Sequence, residues 1–259
     1  MVGKNPELRL DKSLKIRLDK LLLERGLATS RERAQALILA GKVLVNEQKI
    51  DKAGAAVARN AAIRLLAEDF RYVSRGGLKL EKALQHWRID VTGMTCLDVG
   101  TSTGGFTDCL LQHGAARVIA VDTGHGQVHN RIRQDARVRL LENTNARYLT
   151  REQVAESADL VVIDVSFISA TMVIPAVCAA AFGTPGQTRH LIVLVKPQFE
   201  VGREQVGKGG IVKDPAAQRF AVEKVRAAVE QLRPKSVEVI ESPILGAEGN
   251  REFLLWSVF

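Results

Sequence analysis

Residues 94–108 read Met-Thr-Cys-Leu-Asp-Val-Gly-Thr-Ser-Thr-Gly-Gly-Phe-Thr-Asp, and this stretch decides the fold of the chain. A short apolar run ends in Asp98, and a glycine-rich turn follows it. From Phe106 to Gln112 the apolar residues recur with the spacing of a helix. The stretch therefore predicts a strand, a turn and a helix at the start of an α/β sheet, with a nucleotide-like ligand at the turn.

The spacing of the glycines indicates which nucleotide-like ligand the turn binds. A turn for a dinucleotide carries three glycines, and the middle one lets the backbone approach a pyrophosphate. Here the three positions hold Gly100, Ser102 and Gly105, so a side chain would crowd a pyrophosphate. S-adenosylmethionine has no phosphate, and its methionine moiety can lie over Gly100 and Gly104. We therefore expect S-adenosylmethionine at this turn.

A second apolar run supports the cofactor interpretation. Residues 117–122 end in Asp122, roughly 20 residues after the glycines, where a carboxylate can accept hydrogen bonds from both ribose hydroxyls. The turn alone could be an ordinary tight turn of a structural domain. Together with Asp98 and Asp122 it favours a cofactor site.

Five further segments have the apolar character of strands, and helical spacing separates them except before the last. They are residues 138–142, 159–165, 189–196, 235–241 and 252–259. Alternation of strands and helices is typical of a doubly wound sheet, whose ligands bind at the carboxyl ends of the strands.

Charge is unevenly distributed along the 259 residues. The net charge is +8, and residues 1–70 contribute +5 of it, with 14 Lys and Arg against 9 Asp and Glu. A basic segment of this size favours a polyanionic partner, and nucleic acid more than membrane.

The three cysteines are widely spaced in apolar surroundings without a zinc pattern, which indicates reduced thiols. With no secretory signal and no uninterrupted apolar span, we expect a soluble, cytoplasmic protein.

The basic N-terminal segment has its own pattern of elements. Helical spacing covers residues 17–26 and 31–40, Ser30 is a good N-cap, a hairpin covers residues 42–50, and a strand covers 61–65. The order Arg-Leu-Asp-x-x-Leu, Arg-Gly-Leu, Ser-Arg-x-x-Ala, Gly-x-Val-x-Val-Asn resembles the S4-type RNA-binding domain. The resemblance implies contacts to structured RNA from Arg17, Lys20, Arg31, Arg33 and Lys42. An ordinary solvated helix face is the alternative.

These patterns divide the chain into two domains. We predict a flexible N-terminus at residues 1–14, the S4-type domain at 15–67, a linker at 68–77 that ends in two glycines, and the sheet domain at 78–259. The predicted fold class is α/β, a Rossmann-like methyltransferase sheet that follows a small α+β RNA-binding domain.

Four charged residues come together if the sheet has the predicted topology. Asp164 and Lys196 each end an apolar strand, Lys79 begins the helix before the first strand, and Glu252 opens the last strand. Charges at strand ends usually only reach solvent. Two lysines and two carboxylates beside a methyl-donor site suggest chemistry instead.

Six motifs carry a resemblance that runs from about residue 17 to the C-terminus. They are Tyr-Val-Ser-Arg-Gly-Gly-x-Lys-Leu at 72–80, Leu-Asp-Val-Gly-x-Ser-Thr-Gly-Gly-Phe-Thr-Asp at 97–108, Val-Asp-x-Gly-His-Gly-Gln at 121–127, Asp-Val-Ser-Phe-Ile-Ser at 164–169, Val-Lys-Pro-Gln-Phe-Glu at 195–200 and Gly-Lys-Gly-Gly-Ile-Val at 207–212. The chain resembles the TlyA family of ribosomal RNA 2′-O-methyltransferases, also called haemolysins, whose catalytic domain is similar to FtsJ. Thr101 departs from the family, where we expect Ala.

The resemblance implies a set of site residues and partners. The catalytic tetrad falls on Lys79, Asp164, Lys196 and Glu252, and Arg75 joins the RNA-binding residues. The partner is ribosomal RNA or a ribosomal subunit, and the target is a cytidine of either subunit. The predicted cofactor-binding residues are Asp98, Gly100, Ser102, Thr103, Gly104, Gly105, Phe106, Asp122, Asn145 and Asp164.

Ribose methylation explains why these residue types are needed. A 2′-hydroxyl is a poor nucleophile, so its proton must move to a base as the methyl group transfers. A lysine can be that base when a neighbouring cation or burial favours its neutral form, and we expect Lys79 to act in this way on Lys196. Asp164 and Glu252 would hold the two lysines. No metal is expected.

Several alternatives remain open in the sequence. Gly202, Gly207 and Lys208 nearly form a phosphate-binding loop, but Gly209 replaces the Ser or Thr that would hold magnesium. His125 and His129 have metal-ligand spacing without a third ligand. Base methylation, membrane lysis and a non-catalytic role in ribosome assembly are the competing functions.

Overall fold

A computed structural model describes residues 15–28, 30–66, 71–183, 187–246 and 249–259. The chain divides into two compact units, Met1–Arg71 and Tyr72–Phe259. The predicted flexible segment 1–14 lies outside the described residues. The division between the units falls within the segment 68–77 that the sequence suggests as a linker.

The first unit contains two helices, α1 (Leu18–Glu24) and α2 (Arg31–Leu39). Leu18, Leu21, Leu22 and Leu37 pack into a small core of this unit. Ser30 caps α2, because its Oγ accepts a hydrogen bond from the backbone N of Arg33 at 3.2 Å. The predicted cap is confirmed, and the two helices lie within one or two residues of their predicted ends.

Short antiparallel strands complete the first unit. β2 (Val43–Val45) pairs with β3 (Gln48–Lys49) and with β5 (Ile63–Leu65). Asn46 and Glu47 form the two-residue turn of the predicted hairpin, and both have positive φ, of 50° and 63°, as a type I′ turn requires. The sequence did not predict a further pair, which joins β1 (Lys15–Arg17) to β4 (Ala56–Ala58).

A seven-stranded sheet forms the centre of the second unit, as predicted. Its strands, in chain order, are β6 (Thr95–Val99), β7 (Arg117–Val121), β8 (Val138–Leu141), β9 (Leu160–Ile163), β10 (His190–Val195), β11 (Ser236–Glu241) and β12 (Phe253–Val258). Their order in the sheet is β11-β12-β10-β9-β6-β7-β8. In this sheet only β12 is antiparallel to its neighbours, and the five strands from β6 to β10 are parallel to one another.

Helices cover both faces of this sheet. They are α3 (Gly76–His86), α4 (Gly105–Gln112), α5 (Asn130–Arg133), α6 (Arg151–Val154), α7 (Ile174–Ala181), α8 (Pro197–Glu200) and α9 (Pro215–Glu230). Because the central strands are buried on both sides, their side chains alternate between two cores. In β9, Leu160 and Val162 face one core, while Val161 and Ile163 face the other.

Helix α3 begins earlier than the sequence indicates. Two consecutive glycines suggest a break, but Gly76 and Gly77 form the first turn of the helix. A Cβ at Gly77 would collide with the ring of Tyr72, which is buried in the core of the second unit. The glycines therefore permit close packing, and residues 72–77 belong to the sheet unit rather than to a linker.

Residues 160–182 are the most apolar tract of the chain, and they form β9 and α7. In the part of the chain that the structure describes, no helix has both the length and the apolar character needed to cross a membrane.

Candidate active site

The glycine-rich turn between β6 and α4 has a backbone that only certain residues tolerate. Gly100 has a φ of +87° and Gly104 has a φ of +98°, and both values lie in the left-handed region. A Cβ at Gly100 would also collide with the carbonyl group of Asp164 at the end of β9. Gly100 thus lets two neighbouring strands approach closely where the cavities described below open.

Asp122 holds this turn against the loop that follows β7. One carboxylate oxygen accepts a hydrogen bond from the backbone N of Ser102 at 2.7 Å, and the other accepts one from the backbone N of Gly124 at 2.7 Å. Ser102 itself has a positive φ of 51°. The carboxylate is therefore fixed before any ligand binds, with its remaining lone pairs available to ribose hydroxyls.

Two cavities open at the carboxyl ends of the strands. The larger has a volume of about 530 Å³, and the smaller has a volume of about 230 Å³. Both are bordered by Gly100, Ser102 and Asp164. The two cavities therefore meet at the glycine-rich turn, beside the end of β9, where a doubly wound sheet places its ligand.

Most of the predicted cofactor residues line these cavities. Asp122 and Asn145 line the larger one, and Thr103, Gly105 and Phe106 line the smaller one. The side chains that line the larger cavity offer hydrogen-bond acceptors for ribose hydroxyls. The glycine backbone beside the smaller cavity leaves room for an extended chain, such as the methionine moiety of the cofactor. The residues present thus fit S-adenosylmethionine.

Two predicted cofactor residues line neither cavity. Gly104 packs against Ile132 at the start of α4 and lines neither cavity. Asp98 is fully buried, lines neither cavity, and accepts a hydrogen bond at Oδ2 from Thr107 Oγ1 at 2.6 Å. Its Oδ1 has no hydrogen-bond partner among the described residues. The carboxylate of Asp98 thus holds the first turn of α4 through Thr107 and borders neither cavity.

Burial also changes the acidity of Asp98. Removal from water disfavours the charged form and raises the pKa of this carboxyl to about 7, although the Thr107 hydrogen bond opposes the shift. Thr101, where the resemblance leads us to expect Ala, donates from its hydroxyl to the Asp98 carbonyl at 3.1 Å and lines the smaller cavity. It fits the turn without disturbing it.

The four predicted catalytic residues form two ion pairs. Lys79 Nζ lies 2.5 Å from Glu252 Oε2, and both side chains are nearly inaccessible to solvent. Lys196 Nζ lies 2.6 Å from Asp164 Oδ1 and donates a hydrogen bond to Ser166 Oγ at 2.8 Å. Because Lys79 and Asp164 line the same smaller cavity, the two pairs border one site.

The predicted RNA-binding residues divide into two groups. In the first unit, Arg17 and Arg31 contact the carboxylate of buried Asp19, at 2.8 Å and 3.1 Å. The two arginines hold the pKa of Asp19 far below its usual range, chiefly through the Arg17 hydrogen bond. The lysine side chains at 20 and 42 are exposed.

The other two predicted RNA-binding residues have different surroundings. Arg33 is part of the first turn of α2. Arg75 is exposed in the second unit, immediately before α3, and it lines the smaller cavity beside the glycine-rich turn. Arg75 thus lies beside predicted cofactor residues of the sheet unit.

Two residues of the site were not assigned from the sequence. Ser166 contacts Lys196, and Phe167 lines the larger cavity with 92% of its surface exposed and a φ of +65°. Both follow Asp164 in the motif at 164–169. Their position directly after a strand that ends in a predicted catalytic aspartate was the signal that could have indicated them.

The histidines with metal-ligand spacing have other contacts. His129 Nδ1 accepts a hydrogen bond from the backbone N of Arg131 and caps α5, and His125 Nδ1 lies 3.1 Å from Glu142 Oε2. Within the described ranges, no group of three or more Cys, His, Asp or Glu side chains is arranged to hold a metal ion.

Comparison with known proteins agrees with this geometry. Residues 72–259 match the FtsJ-like methyltransferase family, and residues 16–63 match the S4 domain. The chain is therefore an FtsJ-like methyltransferase with an N-terminal S4 domain, and its methyl donor is S-adenosylmethionine, as the sequence predicts.

Individual relatives identify the family more closely. The chain is 46% identical to the 16S/23S rRNA (cytidine-2'-O)-methyltransferase TlyA of Mycobacterium tuberculosis, over 93% of this chain and 88% of that protein. It is 45% identical to YqxC of Bacillus subtilis, over 94% of this chain and 85% of that protein. A solved structure named as a hemolysin, from Streptococcus thermophilus, has a TM-score of 0.69 at 40% identity and covers 95% of this chain and 88% of its own. The chain belongs to the TlyA family.

Proposed function

We propose that this protein transfers a methyl group from S-adenosylmethionine to the 2′-hydroxyl of a cytidine in ribosomal RNA. The observation that carries the proposal is the pair of ion pairs, Lys79 with Glu252 and Lys196 with Asp164, beside the glycine-rich turn. Cytidine and ribosomal RNA come from the name of the M. tuberculosis relative. The place of action would then be the cytoplasm, where ribosomes are.

The reaction requires two contributions from the protein, which are the positioning of the reactants and a proton acceptor. S-adenosylmethionine supplies an electrophilic methyl group next to a positive sulfur. Lys196, in its neutral form, accepts the 2′-hydroxyl proton at Nζ while the oxygen attacks the methyl carbon. Asp164 and Ser166 fix the position of Nζ, because both contact it in the structure.

The second ion pair supports the first. Glu252 holds Lys79 at the wall of the smaller cavity, which Asp164, the partner of Lys196, also lines. Because the transferred methyl neutralises the sulfonium, little new negative charge needs stabilisation. Orientation can account for up to about 7 to 11 kcal/mol of the barrier.

The N-terminal unit would supply affinity for RNA without taking part in chemistry. Arg17 and Arg31 present guanidinium groups that Asp19 holds in place, and Lys20 and Lys42 add exposed charges. A fixed basic surface of this kind contacts phosphates and positions the substrate. We assign this role to the S4 domain at residues 15–67 and the chemistry to the sheet unit.

The direct test is methylation of ribosomal RNA by the purified protein with S-adenosylmethionine. Mass spectrometry of nuclease fragments should locate one added methyl group on a cytidine ribose, and Lys196→Ala should give none. A methyl group on a base would overturn the ribose assignment. Liposome leakage without RNA methylation would favour membrane lysis, and RNA binding without turnover would favour an assembly factor.

A further inference from the structure

A buried carboxylate outside the proposed tetrad lies close to the active site. The side chain of Glu200, the last residue of α8, is only 2% exposed. Its Oε1 accepts a hydrogen bond from the backbone N of Ala170 at 2.7 Å, and its Oε2 accepts one from Ser169 Oγ at 2.5 Å. The mechanism described above does not use this carboxylate.

A buried charge of this kind is costly unless several donors compensate it. Besides the two donors from residues 169 and 170, Lys224 on α9 lies 3.4 Å from Oε2 and donates to the Glu200 carbonyl at 2.8 Å. Three groups from two other elements thus converge on one carboxylate. A simple packing position on a four-residue helix would be filled more favourably by an apolar side chain.

The contacts of Glu200 form part of a larger arrangement between two short segments. Segment 196–200 contacts segment 164–170 at both ends: Lys196 contacts Asp164 and Ser166, and Glu200 contacts Ser169 and Ala170.

Between these ends, the rings of Phe199 and Phe167 are 5.4 Å apart. The residues held between the two ends, 165–168, line the larger cavity. The position of that wall therefore depends on both ends of segment 196–200.

We propose that Glu200 is a positioning residue of the methyl transfer: it fixes the far end of segment 164–170, so that Asp164 and the wall formed by residues 165–168 are held against Lys196 and the cofactor. The proposal rests on the proposed function of Lys196 and Asp164. Glu200 touches neither substrate nor cofactor and acts through the segment that it holds.

Two substitutions test this role without removing packing volume. Glu200→Gln keeps the shape but loses the charge and one acceptor. Ser169→Ala removes the hydroxyl that donates to Glu200 and that also contacts the backbone N and the hydroxyl of Thr171. Both are expected to lower kcat by about 10- to 100-fold at saturating RNA and cofactor, because small misplacements of reacting groups have effects of this size. Ser169→Thr keeps a hydroxyl and should restore kcat to within about threefold of the wild type.

A matched control separates positioning from stability. Asp159 also uses its carboxylate to hold a backbone amide, that of Thr95 at 2.9 Å, but at the amino ends of β6 and β9, away from the cavities. Asp159→Asn should lower the melting temperature and leave kcat unchanged. All variants are assayed well below their melting temperatures.

Measurements of cofactor binding and of RNA methylation together distinguish the positioning role of Glu200 from the proposed methyl-transfer reaction. Calorimetry with S-adenosylmethionine needs no RNA, and Glu200→Gln should weaken cofactor binding by about 3- to 10-fold because an ordered wall must first form. If the wild type fails to methylate RNA but this loss of affinity is seen, the positioning role stands and the proposed reaction fails. A folded Glu200→Gln protein with wild-type kcat and wild-type affinity would limit Glu200 to stability and overturn the proposal.

Discussion

Lys196 is the residue on which the proposed chemistry depends most directly. Lys196→Ala should lower methylation by at least about 10²- to 10⁴-fold, the usual contribution of a general base, while cofactor and RNA still bind. Lys196→Arg should fail as well, because a guanidinium stays protonated and cannot accept the hydroxyl proton. Turnover assays with parallel calorimetry check both variants. Near-normal turnover of the Arg variant would make Lys196 a positioning cation.

Asp122 allows a prediction for cofactor affinity. Asp122→Ala removes the acceptor for the ribose hydroxyls and releases the backbone amides of Ser102 and Gly124. The loss should be about 2 to 6 kcal/mol, at about 1 to 3 kcal/mol for each of two bonds to a charged group, or roughly 30- to 20,000-fold in affinity. Calorimetry measures it, with exposed Asp90→Ala as the control. Unchanged affinity would remove Asp122 from the site.

Asp98 makes stability depend on pH. In the folded protein its pKa is about 7, whereas an unfolded aspartate has a pKa near 3.9. Between these values the folded state keeps a proton that the unfolded state has lost, so the free energy of unfolding should fall as pH rises from about 4 to 7. The fall from this group is at most about 4 kcal/mol.

Asp98→Asn provides the test, because an amide does not titrate in this range. Urea unfolding at pH 5 and at pH 8 should show a smaller difference between the two conditions for the variant than for the wild type. An equal difference in both proteins would mean that Asp98 is ionised in the folded state.

At the scale of elements, helix α2 has two kinds of basic residue around it, and they should respond differently to substitution. Arg31 compensates the buried carboxylate of Asp19, so Arg31→Ala should lower both the stability of the first unit and its affinity for RNA. Lys42 is exposed, so Lys42→Ala should leave stability unchanged and lower the salt slope of RNA binding by up to about one per lost phosphate contact. Thermal melts and binding titrations over a salt series measure the two effects. A normal salt slope for Lys42→Ala would place Lys42 outside the RNA surface.

The sequence predicted the helices and strands whose formation depends on residues close together in the chain. The apolar run of residues 94–98 and the helical spacing from Phe106 predicted β6 and α4 nearly to the residue, since a short apolar run before a glycine-rich turn is typical of a buried strand and the spacing after it is typical of a helix. The pairing of β1 with β4 was missed, because three-residue strands are too short to show alternation and depend on a partner about 40 residues away. The start of α3 was missed because the glycine pair suits a contact with Tyr72 that spacing cannot reveal.

At the scale of the whole molecule, the sheet topology explains why the active site could be predicted in part. The rule that ligands bind at the carboxyl ends of parallel strands brought Asp164 and Lys196 together from sequence alone. It could not show which lysine pairs with which acid, because Lys79 and Glu252 are 173 positions apart and meet only through tertiary packing. It also could not show that Asp98 borders neither cavity.

The position of β12 in the sheet has a consequence for how the enzyme is made. This strand is the last of the seven to leave the ribosome, yet it lies between β10 and β11, and Glu252 directly precedes it. Until β12 emerges, β11 cannot pair with its neighbour in the sheet and Glu252 cannot reach Lys79. Vectorial synthesis thus leaves both the sheet and the Lys79–Glu252 ion pair incomplete until the last of the seven strands has been made.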